Sequence, residues 1–305
     1  MPYSADPSRY DDMAYRRVGR SGLKLPAVSL GIWQNFGSVT PYETSRAILL
    51  RAFDLGVTHI DAANNYGPVP GSAEETLGRV LKTDLAPYRD ELIISTKAGY
   101  GMWPGPYGDW GSRKYMLASL DQSLKRLGLE YVDIFYSHRP DPETPLEETM
   151  GALQELIREG KILHWGISET TEEYLRRAHR VCPVTAIQNR YSMMVRRHET
   201  LFPVLEELGV GFVAFSPLAN GLLSNRYTAE TTFDPTTDYR ASMPQYRRES
   251  FVKNRPLFAL LERLADEHRA TASQISLAWM MNKRSWIVPI PGTRCLCRLK
   301  ENIGA

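Results

Sequence analysis

Apolar residues follow two alternating rhythms along this chain. Short runs that are apolar at nearly every position give way to longer stretches with apolar residues three and four apart. The first kind reads as strand and the second as amphipathic helix. Tyr15–Val18 and Leu23–Pro26, around Ser21-Gly22, predict a short hairpin. Strand Val28–Ile32 then precedes helix Tyr42–Leu55, Thr58–Ala63 precedes Ala73–Leu81, and Leu92–Lys97 precedes Arg113–Leu127. Tyr131–His138 precedes Pro145–Glu159, a helix opened by Thr144 as a cap. Ile162–Ile167 is followed by Glu172–Arg180, and Thr185–Tyr191 by Glu199–Leu208. Gly211–Ser216 leads through a long connection to helices Pro256–His268 and Thr271–Asn282. Strand Trp286–Pro289 and a helix near Leu296–Ile303 end the series.

Eight strands with helical crossovers predict a parallel sheet. Leu92-Ile93-Ile94 and Val132-Asp133-Ile134-Phe135 are apolar almost throughout, as strands covered on both faces are. An open doubly wound sheet would place a Gly-rich phosphate turn after its first strand. This chain has Leu30-Gly31-Ile32-Trp33 there, with no G-x-G-x-x-G. The expected class is therefore α/β, a (β/α)8 TIM barrel with a short N-terminal β-hairpin. No linker or low-complexity tract interrupts it, so residues 1–305 read as a single domain. The connection from Leu218 to Arg255 is long, but it carries Tyr227, Phe233, Tyr239, Tyr246 and Phe251. That aromatic content predicts a lid over a ligand.

Composition narrows the function. A net charge of +2 gives no basis for nucleic-acid binding. The most basic stretch, Arg247, Arg248 and Lys253, is broken by Glu249 and reads as a solvated loop or a local anion contact. Three cysteines, Cys182, Cys295 and Cys297, make no disulfide framework and point to a reducing compartment. Cys295 and Cys297 lack the further ligands a zinc site needs, and no metal is expected. The polar segment Met1 to Asp12 lacks a signal peptide's apolar core, and no run has the length of a membrane span. These readings place the chain in the cytoplasm, without nucleic-acid or membrane partners.

In such a barrel, chemistry sits at the C-terminal ends of the strands. Asp61, Tyr66, Lys97 and His138 fall there. A lone Asp at a strand end is more often a cap, and a lone His more often structural. Four titratable groups at one mouth fit carbonyl reduction instead. A nearby ammonium lowers a tyrosine's pKa, so Lys97 would activate Tyr66, with Asp61 orienting Lys97. Tyr66 would then protonate a substrate oxygen that His138 hydrogen-bonds.

These residues lie in segments resembling the aldo-keto reductase superfamily. The segments are His59-Ile60-Asp61-Ala62-Ala63-Asn64-Asn65-Tyr66-Gly67, Ile94-Ser95-Thr96-Lys97, Tyr131 to His138, Phe215-Ser216-Pro217-Leu218 and Ile290-Pro291-Gly292-Thr293-Arg294. The resemblance covers essentially the whole chain, and the family tetrad maps onto Asp61, Tyr66, Lys97 and His138 without substitution. Residues 1–150 look closest to bacterial L-glyceraldehyde 3-phosphate reductases, relatives of the potassium-channel β subunits. From about His164 onward the match shifts toward general bacterial members.

What the resemblance implies is NADPH-dependent reduction of small aldehydes or ketones, such as glyceraldehyde 3-phosphate, methylglyoxal or aromatic aldehydes. NADPH/NADP+ would be the cofactor and a small carbonyl compound the partner, with room for a homo-oligomer. Trp33 and Asp61 would border the nucleotide, and Ser168 and Gln188 would hold the nicotinamide amide. Phe215 would stack on its ring. Glu169 stands where relatives often have Asn or Arg, so that contact is not carried over. The pyrophosphate would meet Ser216, Leu218, Asn220 and Arg226. The adenosine end would meet Gly292, Thr293, Arg294, Arg298, Glu301 and Asn302. Gly292 replaces a Lys common in relatives. Relatives also continue past the position of Ala305 with a segment that lines the pocket, so pocket shape is not carried over. The alternative is an NADPH-binding regulatory or redox-sensing subunit. The channel subunits carry Asn at the fourth tetrad position, whereas this chain has His138.

Overall fold

The computed structural model describes residues 2–236 and 238–305. Strands β1 (Tyr15–Arg17) and β2 (Lys24–Pro26) pair antiparallel as the expected hairpin. Among the described residues, eight strands then form one parallel sheet in chain order. They are β3 (Leu30–Gly31), β4 (His59–Asp61), β5 (Ile93–Ala98), β6 (Val132–Ser137), β7 (Ile162–Ser168), β8 (Ala186–Arg190), β9 (Gly211–Phe215) and β10 (Ile287–Pro289). The sheet closes on itself, because Ser29 N donates to Pro289 O at 3.0 Å and Gly31 N to Pro291 O at 3.4 Å. The seam is tight, since a Cβ on Gly31 would lie 2.7 Å from Ile290 O. The hairpin stoppers the barrel's N-terminal end. Val18 and Leu25 pack there against inward-facing Ile134, Val213 and Val288.

Helices α1 (Tyr42–Asp54), α2 (Ser72–Thr83), α3 (Arg113–Leu127), α4 (Leu146–Arg158) and α5 (Glu172–Val181) cover the outside of the first strands. Helices α6 (Phe202–Leu208), α7 (Arg248–His268), α8 (Ala272–Lys283) and α9 (Leu296–Ile303) follow. Local chemistry sets several ends. Ser112 accepts from Tyr115 N to start α3, and Gly128 ends it at φ 66°. Thr271 and Gln274 form a reciprocal capping box on α8. The main core lies between strands and helices, around fully buried Trp165, Phe53, Ile94 and Leu153.

Four boundaries differ from the sequence reading. Thr144 does not cap α4: the cap is Pro145, and Asp141 Oδ1 instead accepts from the amides of Glu143 and Thr144. The stretch from Glu199 is a 3-10 turn over Arg197–Leu201, and α6 starts only at Phe202, ahead of Pro203. The first barrel strand narrows from Val28–Ile32 to Leu30–Gly31, its flanks serving the seam. Helix α7 begins at Arg248, with Pro256 inside it rather than at its start. A proline there forfeits one helical bond. Buried Phe251 anchors the early turns against Tyr246 and Phe258, which carries the helix through. Arg248 and Lys253 are thus exposed helix residues, not loop residues. No helix among the described residues is long and apolar enough to cross a membrane.

Candidate active site

Parallel closure puts the ends of β4 to β9 around one mouth. Asp61 ends β4, Lys97 is on β5, and His138 follows β6. Ser168 ends β7, Gln188 is on β8, and Phe215 ends β9. Beyond β4 the chain keeps pairing, Ala62 N to Ser95 O at 2.8 Å and Asn64 N to Lys97 O at 3.0 Å. A turn from Ala63 O to Tyr66 N at 3.1 Å then brings the Tyr66 ring back over the mouth.

Lys97 is fully buried, and its ammonium has three protons to place. They go to Asp61 Oδ2 at 2.5 Å, Ala62 O at 2.7 Å and Tyr66 Oη at 3.3 Å. All three donors are therefore used, and the Tyr66 oxygen is an acceptor from Lys97. The hydroxyl proton of Tyr66 is left free to point elsewhere, and Tyr66 lines the cavity.

Asp61 is supported from below by a chain whose proton order is fixed by bookkeeping. Its Oδ1 accepts from Ser95 Oγ at 2.8 Å and from Gln188 Nε2 at 2.9 Å. Having donated its proton, Ser95 must accept from His59 Nε2 at 3.0 Å. His59 Nδ1 then accepts from Ser29 Oγ at 2.9 Å. Burial lowers the His59 pKa to about 4, with Asp61 opposing and Lys97 assisting. A histidine held neutral below its unfolded pKa stabilises the fold above pH 6.5, and that stability is lost as pH falls toward 4. About 2 kcal/mol of stability between pH 7 and pH 5 should therefore come from this one group. Denaturant unfolding of wild type and His59→Gln at both pH values checks this. Parallel losses in the two proteins would remove His59 as the source.

His138 is held neutral: burial drives its pKa well below 6.5, and the charges of Lys97 and Arg139 add to this. Its ring packs edge-on against Tyr66, centroids 5.9 Å apart, and against Tyr100 at 4.7 Å. Its Nδ1 is buried without a partner among the described residues. The nearby Lys97 ammonium does not bring the Tyr66 pKa below its ordinary value. Burial raises it well above 10, Asp61 raises it further, and Arg139 pulls against them. The charge of Lys97 is offset by Asp61 beside it, so burial dominates.

A cavity of about 950 Å³ opens over this floor. Its inner end is formed by Asp61, Tyr66, His138, Ser168, Gln188 and Phe215, and Trp33 stands on one flank. Ser216, Leu218, Asn220 and Arg226 line the middle, and residues of the segment from Gly292 to Asn302 line the far end. The predicted nucleotide contacts thus share one continuous cavity, but Lys97 lies beneath its surface. Ser216 and Asn220 hold left-handed φ values of 50° and 61°, backbone strain of the kind that collects at sites. Gly292 has no room for a side chain, since a Cβ there would lie 2.6 Å from Gly31 O across the seam.

The connection after β9 arches over the cavity. Tyr227, Phe233 and Tyr246 pack on one another and on Leu222 and Leu223, giving the arch its own core. Tyr239 reaches across to Trp33, ring centroids 4.9 Å apart, and Arg226 pairs with Glu301. The cysteines differ from the framework-free reading in one respect: Cys295 and Cys297 join as a local disulfide, and Cys182 is a buried free thiol.

Sequence reasoning passed over His59, Ser95, Tyr100 and Arg139. His59 and Ser95 stand inside the quoted segments, two residues before Asp61 and Lys97 respectively, so both point the same way into the barrel. That spacing was the available signal. Arg139 is simply the residue after His138, and Tyr100 lies three residues past Lys97.

Residues 27–305 match the family described as "Aldo/keto reductase family". The L-glyceraldehyde 3-phosphate reductase of Escherichia coli O157:H7 is 48% identical, over 100% of this chain and 91% of that protein. Its counterpart in Escherichia coli strain K12 is 47% identical over the same shares. Among solved structures, a thermostable aldo-keto reductase in complex with the inhibitor epalrestat superposes with a TM-score of 0.74 at 32% identity, covering 96% of this chain and 93% of that one.

Proposed function

The chain belongs to the aldo/keto reductase family, and from that premise we propose that it reduces small aldehydes or ketones with NADPH, Tyr66 giving the proton. The observation carrying the reading is the Tyr66 hydroxyl, whose oxygen accepts from an ammonium with no other donor to spare. Its proton is thereby the one available to a carbonyl oxygen in the cavity.

The cavity fits a nicotinamide dinucleotide by the chemistry of its lining. A flat Phe215 ring stands at the inner end and amide and hydroxyl groups of Gln188 and Ser168 lie beside it. At the far end Arg294 and Arg298 pair with no carboxylate among the described residues. When bound, the cofactor supplies a hydride to the carbonyl carbon. The chain's own residues do the rest. His138, neutral, donates a hydrogen bond that holds the carbonyl oxygen. Tyr66 delivers its proton as charge develops there, and Lys97 steadies the oxygen that remains. The charge of Lys97 also makes the tyrosinate less costly than burial alone would. A reductase drawing on the cell's nicotinamide pool works in the cytoplasm, where this reading places the chain.

Small aldehydes should be reduced at the expense of NADPH, followed as loss of its absorbance. NADPH should be preferred over NADH by at least tenfold, because a charge-assisted bond to the 2′-phosphate contributes about 1.5–3 kcal/mol. Arg298→Ala should weaken NADPH binding and leave NADH binding alone, as titrated by intrinsic fluorescence. Equal dissociation constants for the two nucleotides in wild type would refute the cofactor assignment.

A further inference from the structure

At the far end of the cavity two cysteines close a bond that carbonyl reduction does not use. Cys295 and Cys297 are joined with a single residue between them, their Cα atoms 5.4 Å apart. Side chains two apart on a helix do not face each other. The two can meet because Cys295 is the cap of α9, its backbone extended at φ −127° and ψ 125°, while Cys297 stands in the first turn. Thr293 Oγ1 accepts from Cys295 N at 3.0 Å, and Cys295 O accepts from Leu299 N at 3.0 Å. Arg294 precedes the pair and Arg298 follows it. Arg294, Cys295 and Arg298 all line the cavity, and Cys297 is exposed to solvent.

As a staple for the fold this bond has little to offer, because stabilisation by a cross-link grows with the loop it closes, and this loop spans one residue. Exposed disulfides are instead the labile ones. Reactive cysteines collect in exposed, electropositive places at helix N-termini, and this pair stands at one between two arginines. We propose that Cys295 and Cys297 are a reversible thiol–disulfide site that tunes the grip of the cavity's far end on the dinucleotide. The oxidised pair holds Arg294 and Arg298 in place, and the reduced pair releases them. A small disulfide such as glutathione disulfide is the oxidant. The exposed Cys297 thiolate attacks one of its sulfurs, forming a mixed disulfide and releasing one thiol. The Cys295 thiolate then attacks the Cys297 sulfur, and the second thiol leaves. The two cysteine protons end on the departing thiols, the protein gives up two electrons and the small disulfide takes them. Two thiols run the sequence backward. With the bond cut, Cys295 is no longer tied to the first turn, and the flanking arginines regain freedom that nucleotide binding must remove. The inference rests on the NADPH reading of this cavity. It adds a modification site and what that site controls.

The test is titration of NADPH by intrinsic fluorescence, on the full chain oxidised with glutathione disulfide and on the same chain reduced with dithiothreitol that is then removed. A count of reactive thiols gives the state of each sample. Reduction should raise the Kd for NADPH by about 3- to 10-fold, the cost of ordering one long side chain, and reoxidation should restore it. The double variant Cys295→Ser, Cys297→Ser should bind like the reduced form and ignore both reagents. Equal Kd values in the two states overturn the proposal. So does a redox response that survives the double substitution, or a pair that stays reduced in glutathione disulfide. Hydrogen exchange of the Leu299 amide, which is bonded to Cys295 O, separates this from the reading beneath it. If neither state binds NADPH, that reading falls. Exchange in the ligand-free chain then decides the site: faster exchange after reduction supports it, and equal exchange overturns it.

Discussion

Tyr66→Phe is expected to lower kcat for carbonyl reduction by about 10²–10⁴, the range that general acid catalysis contributes. The substitution removes one oxygen and leaves the ring that packs against His138. Lys97 loses its weakest acceptor, at 3.3 Å, and keeps Asp61 and Ala62 O. Nothing at the far end of the cavity is touched, so NADPH affinity should stay nearly constant. Steady-state kinetics together with nucleotide titration check both halves. A variant retaining more than about a tenth of wild-type kcat would mean that the proton comes from elsewhere.

Lys97→Met is expected to act on stability and on rate together. Lys97 and Asp61 are both fully buried and meet at 2.5 Å. Removing one partner of such a pair strands the other charge, at a cost of about 3–5 kcal/mol. Ser95 and Gln188 still hold Asp61 Oδ1, which favours the low end of that range. Thermal unfolding should show the drop, and Asp61→Asn combined with Lys97→Met should recover most of it without recovering activity. The pH profile should also move. Burial already holds the Tyr66 hydroxyl well above 10, and losing a positive neighbour raises it further. The protonated acid then persists to higher pH, so the descending limb of kcat against pH shifts upward. Full activity with an unshifted profile would uncouple Lys97 from Tyr66.

The barrel was legible because its strands, covered on both faces, hold short apolar runs that alternate with amphipathic helices. Leu92-Ile93-Ile94 could be placed from that feature alone. Boundaries set by tertiary contacts were not legible. Pro256 reads as a helix start, and only the packing of Phe251 in the arch carries α7 back to Arg248. Among site residues, Asp61, Tyr66, Lys97 and His138 were located by their place at strand ends and by family resemblance. The structure adds how they meet. It also adds what sequence order hides: Lys97 spends every proton, and His59 and Ser95 complete a buried chain beneath Asp61. The net Tyr66 shift is upward because burial, which has no signature in a local motif, outweighs nearby positive charge.

The ion pair between Arg226 and Glu301 changes how ligand capture is to be counted. The two residues lie 75 positions apart in the chain and meet at the cavity. A carboxylate therefore already sits on the guanidinium that a nucleotide phosphate would seek. Were a nucleotide phosphate to bind Arg226, association there would be an exchange, not an addition: one anion would leave as another arrives, and the number of ion pairs would be conserved. The net gain is the difference between a phosphate and a carboxylate on the same arginine, plus whatever the released Glu301 finds. Being partly exposed, the internal competitor weakens as salt rises, and so does the incoming phosphate contact. Affinity at this end should then depend less on ionic strength than the number of arginines would imply.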